Sequence, residues 1–531
     1  MDLMDKTMTR FSRRTALIGT ATALALVLGG CSGAAKDAGA SSEPAGEPQR
    51  GGELRVSIGA EPIAPAFDMG TMAVTSVGTA SIATLAYNGL VDFQDGQAVP
   101  ELATSWKQTS PTQYVFALRD GVKFTDGTPF DAEAVKFNLD RLLDPNGTGA
   151  NLPPSLESVE VSAPNEVTMN LSTPAGGFVA SLRRGRVMMM SPTAVTQYAK
   201  TDPFKASVGT GPYKFEEYKT GQYIRLVRND DYWADDNYLD SIKISILPDP
   251  TTSMQAFVNG ELDVLGVTPA QLAQVKSRGN SVIKTSISNT FNYVSFNQAV
   301  KPFDNVDVRR GFSAAINRDG IAQGIYQGYA DPASGPLSPK IGDAYSDLSG
   351  LASQTFSTDK AKEFLKNGNF DFGTTVPFST FTQAPFSTEA DAVAEQLQNV
   401  GVKVDLSKEE FGSWAQKIYT AKNFTVMNSG QTTATVDPDE ILYPLFHSKG
   451  DLNASSINDP ELDKLLDAAR AEQDPQQRAQ MYQQASKLIA DNAYAAFTVY
   501  PQKIAATSPS VGGYEFTEGG TNPLSRVWLA K

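Results

Sequence analysis

The chain contains very few side chains suited to nucleophilic or metal chemistry. Its 531 residues include one cysteine, Cys31, and one histidine, His447. No disulfide can form within the chain, and no Cys/His zinc site can be assembled. A Ser-His-Asp triad would need His447, which lies in LFHSKG without a partner pattern, so we expect a surface or loop histidine. No carboxylate pair stands out as a glycosidase pair would. The sequence therefore predicts a protein that is not an enzyme and needs no cofactor or metal.

The most concentrated positive charge of the mature chain is a group of three arginines. Arg183, Arg184 and Arg186 stand just before three methionines that begin at Met188. Guanidinium groups pair well with carboxylates, so the group is a candidate clamp for an anion. The alternative is a solvated basic face on an acidic protein. Met188 is either an adaptable pocket wall or part of the core.

Residues 1–31 are predicted to be a targeting segment outside the fold. Basic residues precede the apolar stretch Ala16–Leu28, which is too short to span a bilayer comfortably. Leu28-Gly29-Gly30-Cys31 follows and resembles the lipobox of bacterial lipoproteins, in which Cys31 would carry the lipid. Arg13-Arg14 leaves export by the twin-arginine route open. Residues 32–50 are small, polar and Pro/Gly-rich, so we expect a flexible tether.

Overall charge restricts the partners of the protein. The formal net charge is −14. Such a chain is a poor ligand for nucleic acid, because phosphate contacts require clustered Lys and Arg. Anionic lipid headgroups would repel it as well. We therefore expect contact with the membrane only through the lipid, on its outer face.

The stretch from Gln113 to Leu142 shows how the body of the chain is built. Alternation from Tyr114 to Leu118 predicts a half-buried strand, and Val122–Phe124 predicts a second short strand after a tight turn. Asp131 stands at the position of a helix N-cap. Apolar residues then recur at helical spacing up to Leu142, so this stretch predicts packing and turns and no catalytic group.

Strand and helix patterns continue along the chain. Asp307 is predicted to cap a helix, and a further helix ends at Gly401, a natural residue just past a helix C-terminus. Asp474-Pro475 opens one of the last helices. Repetition of strand, helix and strand predicts an α/β body whose sheets are covered by helices.

Several motifs resemble the family 5 extracellular solute-binding proteins of ABC importers, the group with oligopeptide-, dipeptide- and nickel-binding receptors. The resemblance spans about residues 51–531, with the motifs in the correct order. They are PELATSW (100–106), YVFALRDGVKFTDGTPFDAEAVKF (114–137), GTGPYKFEEY (209–218), NDDYW (229–233), FVNGELDV (257–264), VSFNQAVKPFDNVDVRRGFSAAINRDGI (294–321) and VDPDEILYPLF (436–446).

This resemblance implies an α/β, bilobed periplasmic-binding-protein-like fold of type II with an extra inserted subdomain. Residues 51–66, 208–298 and 503–531 would form lobe I, with 67–207 as the inserted subdomain. Residues 299–502 would form lobe II. The solute would lie between the lobes, and closure would bury it.

The resemblance also implies a ligand and a set of contacts. The protein would be a monomeric, lipid-anchored receptor that passes a peptide or peptide-like solute to ABC permease subunits. Dipeptide-binding relatives clamp both charged ends of the ligand, but Lys422–Val436 supplies no acid before Asp437 and Phe381–Thr388 supplies no arginine. Recognition through the peptide backbone therefore stays open. The candidate ligand-binding residues are Met69, Gly70, Tyr87, Asn88, Arg183, Arg184, Arg186, Met188, Trp414, Ser429, Gly430, Gln431, Asp437 and Tyr443.

Three alternatives remain open at this point. The same fold could bind a non-peptide solute such as a metal chelate, an opine or a sugar. It could also serve a sensor instead of a permease. A secreted hydrolase is the third alternative, and only His447 and scattered carboxylates speak for it.

Overall fold

The computed structural model describes residues 46–60, 62, 67–68, 77–94, 97–144, 152–153, 155–183, 187–432, 436–516 and 524–531. The predicted signal segment and most of the predicted tether lie outside these residues. In the part of the chain that is described, no helix is both long and apolar enough to cross a membrane.

Strands and helices alternate along the described chain, which confirms the α/β prediction. The strands are β1 (Glu53–Ile58), β2 (Val91–Gln94), β3 (Gln97–Pro100), β4 (Ala103–Ser110), β5 (Gln113–Leu118), β6 (Leu156–Ala163), β7 (Glu166–Leu171), β8 (Tyr213–Lys219), β9 (Tyr223–Arg228), β10 (Ser241–Ile246), β11 (Val264–Gly266), β12 (Val282–Ile287), β13 (Thr290–Phe296), β14 (Ala330–Pro332), β15 (Thr375–Phe381), β16 (Lys403–Glu409), β17 (Val426–Thr432), β18 (Ala495–Phe497), β19 (Val499–Thr507), β20 (Val511–Gly512) and β21 (Trp528–Leu529). The α-helices are α1 (Val77–Ala86), α2 (Ala132–Leu143), α3 (Phe178–Ser181), α4 (Pro192–Tyr198), α5 (Pro250–Val258), α6 (Leu272–Ser277), α7 (Val306–Ala314), α8 (Arg318–Gly324), α9 (Thr358–Asn367), α10 (Phe386–Asn399), α11 (Phe411–Ala415), α12 (Asp439–Phe446), α13 (Pro460–Ala471) and α14 (Pro475–Asp491).

Four larger sheets carry the architecture of the described residues. One has the order β1-β10-β9-β8, a second has β11-β19-β12 with β14 added to β19, and a third has β4-β5-β7-β6. The fourth has five strands in the order β16-β15-β17-β13-β18. Consecutive residues of β13 face opposite sides of this sheet, so Phe291 and Tyr293 enter one apolar core while Val294 and Phe296 enter another. Helices therefore cover both faces of the five-stranded sheet.

Two short crossings join the five-stranded sheet to the β11-β19-β12 sheet. The chain passes from β12 to β13 through Ser288-Asn289, and it returns from β18 to β19 through Thr498. The Ser288 hydroxyl donates to the carbonyl of Pro501, and the Thr498 N–H donates to the carbonyl of Asn292 at 2.9 Å. The predicted lobe boundaries after residues 298 and 502 fall near these crossings, and the division into lobes stays a prediction.

Local predictions in the 113–142 stretch are confirmed in two parts and wrong in one. β5 and α2 form as expected, and the Asp131 carboxylate accepts the Ala134 N–H at 3.0 Å. Val122–Phe124 does not form a strand, because Lys123 makes only an isolated bridge with Pro129.

Helix ends give a similar result. Gly401 follows the end of α10 with φ of +97°, and the Asp474 carboxylate caps α14, as predicted. The prediction for Asp307 is wrong, because the N-cap of α7 is Asn305, whose side chain accepts the Asp307 N–H at 2.9 Å. Both residues have short polar side chains suited to a cap. The residue types therefore do not decide which of the two is the N-cap, and the path of the backbone does.

Candidate functional site

Strand β17 carries three of the predicted ligand-binding residues, Ser429, Gly430 and Gln431. It pairs with β13 along its whole length, from Val426 to Thr432. On its other edge, the parallel ladder with β15 contains only the pairs made by Val426 and Met427. Beyond Met427, the backbone groups on that edge take no part in this ladder. An extended peptide could add to such an edge.

The buried carboxyl group of Glu389, at the start of α10, is hydrogen-bonded to β17 and to neighbouring segments. Its oxygens accept hydrogen bonds from Asn292 Nδ2 at 2.9 Å, the Tyr326 hydroxyl at 3.0 Å, Asn428 Nδ2 at 3.4 Å and the Thr498 hydroxyl. Burial raises the pKa of Glu389, and these donors pull that pKa back down. The group thereby ties α10 to β13, to β17 and to the crossing at Thr498.

A cavity of about 350 Å³ lies between the chain near Gln97 and Gly176 on one side and residues 340–344, 436–438 and 473–482 on the other. Small-solute sites usually have volumes of a few hundred cubic ångströms or more. Charged side chains at its wall are those of Lys340, Asp343 and Arg478.

Asp437, a predicted ligand-binding residue, already has a cationic partner in this wall. Its carboxylate accepts bonds from Arg478 Nη1 at 3.0 Å and Nη2 at 2.8 Å, and a third from the Asp439 N–H at 2.9 Å. Both side chains of the ion pair are largely buried. The pair is therefore a structural contact of the cavity wall, and Asp437 does not offer a ligand ammonium an unshared charge.

Three cations from distant parts of the chain, Arg183, Lys340 and Lys503, influence one another electrostatically. Arg183 is only 3% exposed and makes a parallel bridge with Val91. Lys503 lies on β19, and Lys340 stands at the cavity wall. Burial, together with the positive charges of Arg183 and Lys340, lowers the pKa of the Lys503 ammonium to about 8.

Tyr87 and Asn88 are fully buried and satisfied by the protein itself. The Tyr87 hydroxyl donates to the carbonyl of Phe67 at 2.9 Å. Asn88 Nδ2 donates to Glu101 at 2.6 Å, while Asn88 Oδ1 accepts from Thr210 and Trp233. Both side chains therefore pack beside α1, and their role in ligand binding stays a prediction.

Of the other predicted aromatic and apolar contacts, Met188 and Trp414 lie in the core, and Tyr443 is partly buried against it. Met188 is 3% exposed within the core that includes β1 and β10. Trp414 is 1% exposed, with its ring 4.9 Å from that of Phe381. The Tyr443 ring lies between the guanidinium of Arg470, 3.3 Å from its centroid, and the ring of His447, 4.1 Å away.

His447 is not the surface or loop histidine that the sequence suggested. Its side chain is 2% exposed, and Nδ1 accepts the Lys449 N–H at 2.9 Å. Nε2 lies 3.4 Å from Asp467 Oδ1. The stack on Tyr443 buries the ring, which gives it a structural role at the end of α12.

Some predicted residues lie outside the described part of the chain: Met69, Gly70, Arg184, Arg186 and Cys31. Among the residues that are described, no group of three or more His, Cys, Asp or Glu side chains could hold a metal ion.

Sequence reasoning missed Glu389, Lys503 and Arg478. Each gains its importance from partners that lie far away in the chain: Glu389 contacts Thr498, and Arg478 contacts Asp437. A short window around any of them contains no signal. The weak hint of a charged residue inside β19, which is otherwise mostly apolar, is all that could have drawn attention to Lys503.

Comparison with known proteins agrees with this architecture. A family model described as "Bacterial extracellular solute-binding proteins, family 5 Middle" matches residues 97–453. Heme-binding protein A of Haemophilus influenzae is 29% identical over 81% of this chain and 84% of its own length. Glutathione-binding protein GsiB of Salmonella typhimurium is 30% identical over 71% of this chain and 75% of its own. The oligopeptide-binding protein AppA of Bacillus subtilis, solved with a nonapeptide, has 25% identity and a TM-score of 0.78, covering 91% of this chain and all of its own. The predicted bilobed fold of type II is confirmed by these matches.

Proposed function

The chain belongs to family 5 of the bacterial extracellular solute-binding proteins, and from this we propose that it is a lipid-anchored receptor for an ABC importer. It binds a peptide or peptide-like solute between its two lobes and delivers that solute to the permease. Proteins of this family are transport receptors and not enzymes, so binding, closure, docking and release make up the whole cycle. The receptor acts as a monomer.

The observation that carries the peptide assignment is the edge of β17 beyond Met427. Its backbone groups take no part in the short ladder with β15, and Val436, four residues after the end of β17 at Thr432, lies at the wall of the 350 Å³ cavity. A peptide laid against this edge would gain main-chain hydrogen bonds that do not depend on its side chains. The relatives that bind glutathione or a nonapeptide support the same class of solute.

A second candidate solute is a carboxylate-bearing compound that is not a peptide. The similarity to heme-binding protein A favours it. The three cations around Lys503 would suit its carboxylates as well as those of a peptide. Heme therefore belongs in any binding screen beside peptides.

Uptake by cells tests the proposed function directly. We expect deletion of the gene to abolish accumulation of labelled peptides that the purified protein binds, and we expect the intact gene to restore it. Binding without turnover should be seen by native mass spectrometry as an unchanged ligand mass. Conversion of the ligand, or full uptake in the deletion strain, would contradict the proposal, and the second result would favour a sensor.

Lipid anchoring makes a separate prediction at Cys31. Cys31→Ala should move the protein from the membrane fraction to the soluble fraction, because Cys31 is the only residue that could carry the lipid in the predicted lipobox. Ser32→Ala is the matched control and should stay with the membrane. Immunoblots of separated fractions measure the effect, and a Cys31→Ala protein that stays membrane-bound would refute the anchor.

A further inference from the structure

Asp343 is the acidic residue in the wall of the 350 Å³ cavity. It belongs to the 3₁₀ segment Pro339–Ala344, and its side chain is exposed. Its backbone carbonyl accepts a hydrogen bond from Gln483, but the described residues give its carboxylate neither a hydrogen bond nor an ion pair. The carboxylate therefore reaches the cavity with its charge unshared.

The neighbours of Asp343 fix the position of this carboxylate. Gly342 has φ of +71°, a backbone conformation that favours glycine, and the segment kinks there. Ile341 and Ala344, on either side of the kink, are buried in the same apolar core. Gln483 Nε2 of α14 donates to the Asp343 carbonyl at 2.7 Å. The backbone is thus held from both sides, and the carboxylate is left at the cavity wall.

The cationic side chains of the same wall are already engaged within the protein. Arg478 binds Asp437 through two hydrogen bonds of 3.0 and 2.8 Å. Lys340 also interacts within the protein, and not with Asp343. Neither cation neutralises Asp343, so a solute that fills the cavity meets an anionic group at this point of the wall.

A polar acceptor lines the cavity from the opposite side. Gln97, at the start of β3, belongs to the inserted segment, and its carboxamide makes no hydrogen bond with the part of the chain that the structure describes. Val436 and Ala479 add apolar surface to the wall. Such surroundings strengthen an ion pair relative to one on the open surface, because less water screens it.

We propose that Asp343 binds a cationic nitrogen group of the solute, on the premise that the protein is the solute receptor proposed above. An ammonium group carries the complementary charge and has three N–H donors, enough for the carboxylate and for the Gln97 carboxamide together. In a peptide this group is the N-terminus or a basic side chain. Asp343 would supply the acid that Lys422–Val436 lacks.

Peptide libraries test the subsite and identify the source of the nitrogen. The full chain in detergent is exposed to three mixtures of short peptides: free amines, N-acetyl peptides, and N-acetyl peptides without Lys or Arg. Native mass spectrometry then measures which peptides are retained. We expect retention of the free amines if the N-terminus binds Asp343, or of basic N-acetyl peptides if a side chain does.

Two variants separate Asp343 from the rest of the site. Asp343→Asn should weaken binding of the retained peptide by roughly 10-fold or more, because it removes the charge partner and keeps the shape. Asp451→Asn makes the same change at an exposed residue that does not line the cavity, and it should leave binding unchanged. Thermal unfolding checks that both variants are folded.

A change in the peptide distinguishes direct contact from an indirect effect. The retained peptide is compared with the same peptide lacking the recognised amino group. Wild type should prefer the amine by roughly 10-fold or more, whereas Asp343→Asn should bind the two peptides within about 3-fold of each other. A residue that only shaped the cavity would weaken both peptides equally. Calorimetry measures the four affinities.

The outcomes distinguish this subsite from the receptor function. Equal retention of all three mixtures would overturn the subsite and leave the receptor proposal standing. A preference for the amine that persists in Asp343→Asn would do the same, because the cation would then bind elsewhere. Retention of none of the mixtures would overturn the peptide assignment itself, and the subsite with it.

Discussion

Glu389→Ala is expected to lower the free energy of unfolding by about 3–5 kcal/mol. The carboxyl is fully buried and accepts hydrogen bonds from Asn292, Tyr326, Asn428 and Thr498. Removing the acceptor leaves several buried donors unsatisfied, and each such donor costs about 1–3 kcal/mol. The loss is large because the four donors come from four different segments, so no single rotation can repair it.

Chemical denaturation measures this effect, and the same helix supplies the control. Glu395 lies on the exposed side of α10, so Glu395→Ala should change the free energy of unfolding by less than about 0.5 kcal/mol. A Glu389→Ala protein as stable as Glu395→Ala would show that the network contributes little. In that case solvent or local rearrangement must satisfy the four donors.

The pH dependence of the same carboxyl has a definite sign. Burial raises the pKa of Glu389 above the ordinary value of 4.5, so the folded state holds this proton more strongly than the unfolded state. The contribution is fully present below pH 4.5 and is lost as pH rises through the raised value. Wild type should therefore lose stability across this window relative to Glu389→Ala.

Local structure was largely predictable because neighbours in the chain determine it. The Asp131 and Asp474 caps and the glycine after α10 depend on side-chain and backbone chemistry within a few residues. The prediction at Asp307 failed even at this range, because Asn305 fits a cap equally well. Choosing between them requires the path of the preceding chain.

The fold was predictable from motifs, but the contacts that the candidate site residues make were not. Tyr87 and Asn88 are conspicuous in the sequence, and yet they are buried between α1 and the Thr210 region. Lys503 is inconspicuous in the sequence, and it becomes notable only when Arg183 and Lys340 approach it in space. The topology of the fold decides which charges from distant parts of the chain lie near each other. The local periodicity of the sequence does not predict these encounters.

Gly176→Ala is expected to weaken solute binding about 5- to 150-fold by hindering closure of the lobes. Gly176 belongs to the turn between β7 and α3, and its N–H donates to the carbonyl of Arg470 at 2.9 Å. A Cβ at Gly176 would lie 2.2 Å from the carbonyl oxygen of Glu472 and 2.9 Å from the Arg478 side chain. The substitution therefore forces the turn away from the loop between α13 and α14.

This contact joins the proposed inserted subdomain to the proposed second lobe. Rotation about the crossings at Ser288-Asn289 and Thr498 would break it, so the substitution penalises the closed state and spares the open one. Overpacking of this kind costs about 1–3 kcal/mol, which sets the expected loss of affinity. Gly176 belongs to none of the apolar cores of the described residues, so the unfolding transition should stay close to that of wild type.

Gly324→Ala is the matched control, because a Cβ at the end of α8 would meet open space. It should keep full affinity and gain slightly in stability. Calorimetry with a peptide that the wild type binds gives the affinities, and small-angle scattering with saturating peptide gives the radius of gyration. We expect Gly176→Ala to stay more extended than Gly324→Ala under the same conditions. Equal affinity and equal compaction of Gly176→Ala and Gly324→Ala would contradict this prediction. The Gly176–Arg470 contact would then persist in the open receptor, and closure would depend on other contacts in the cleft.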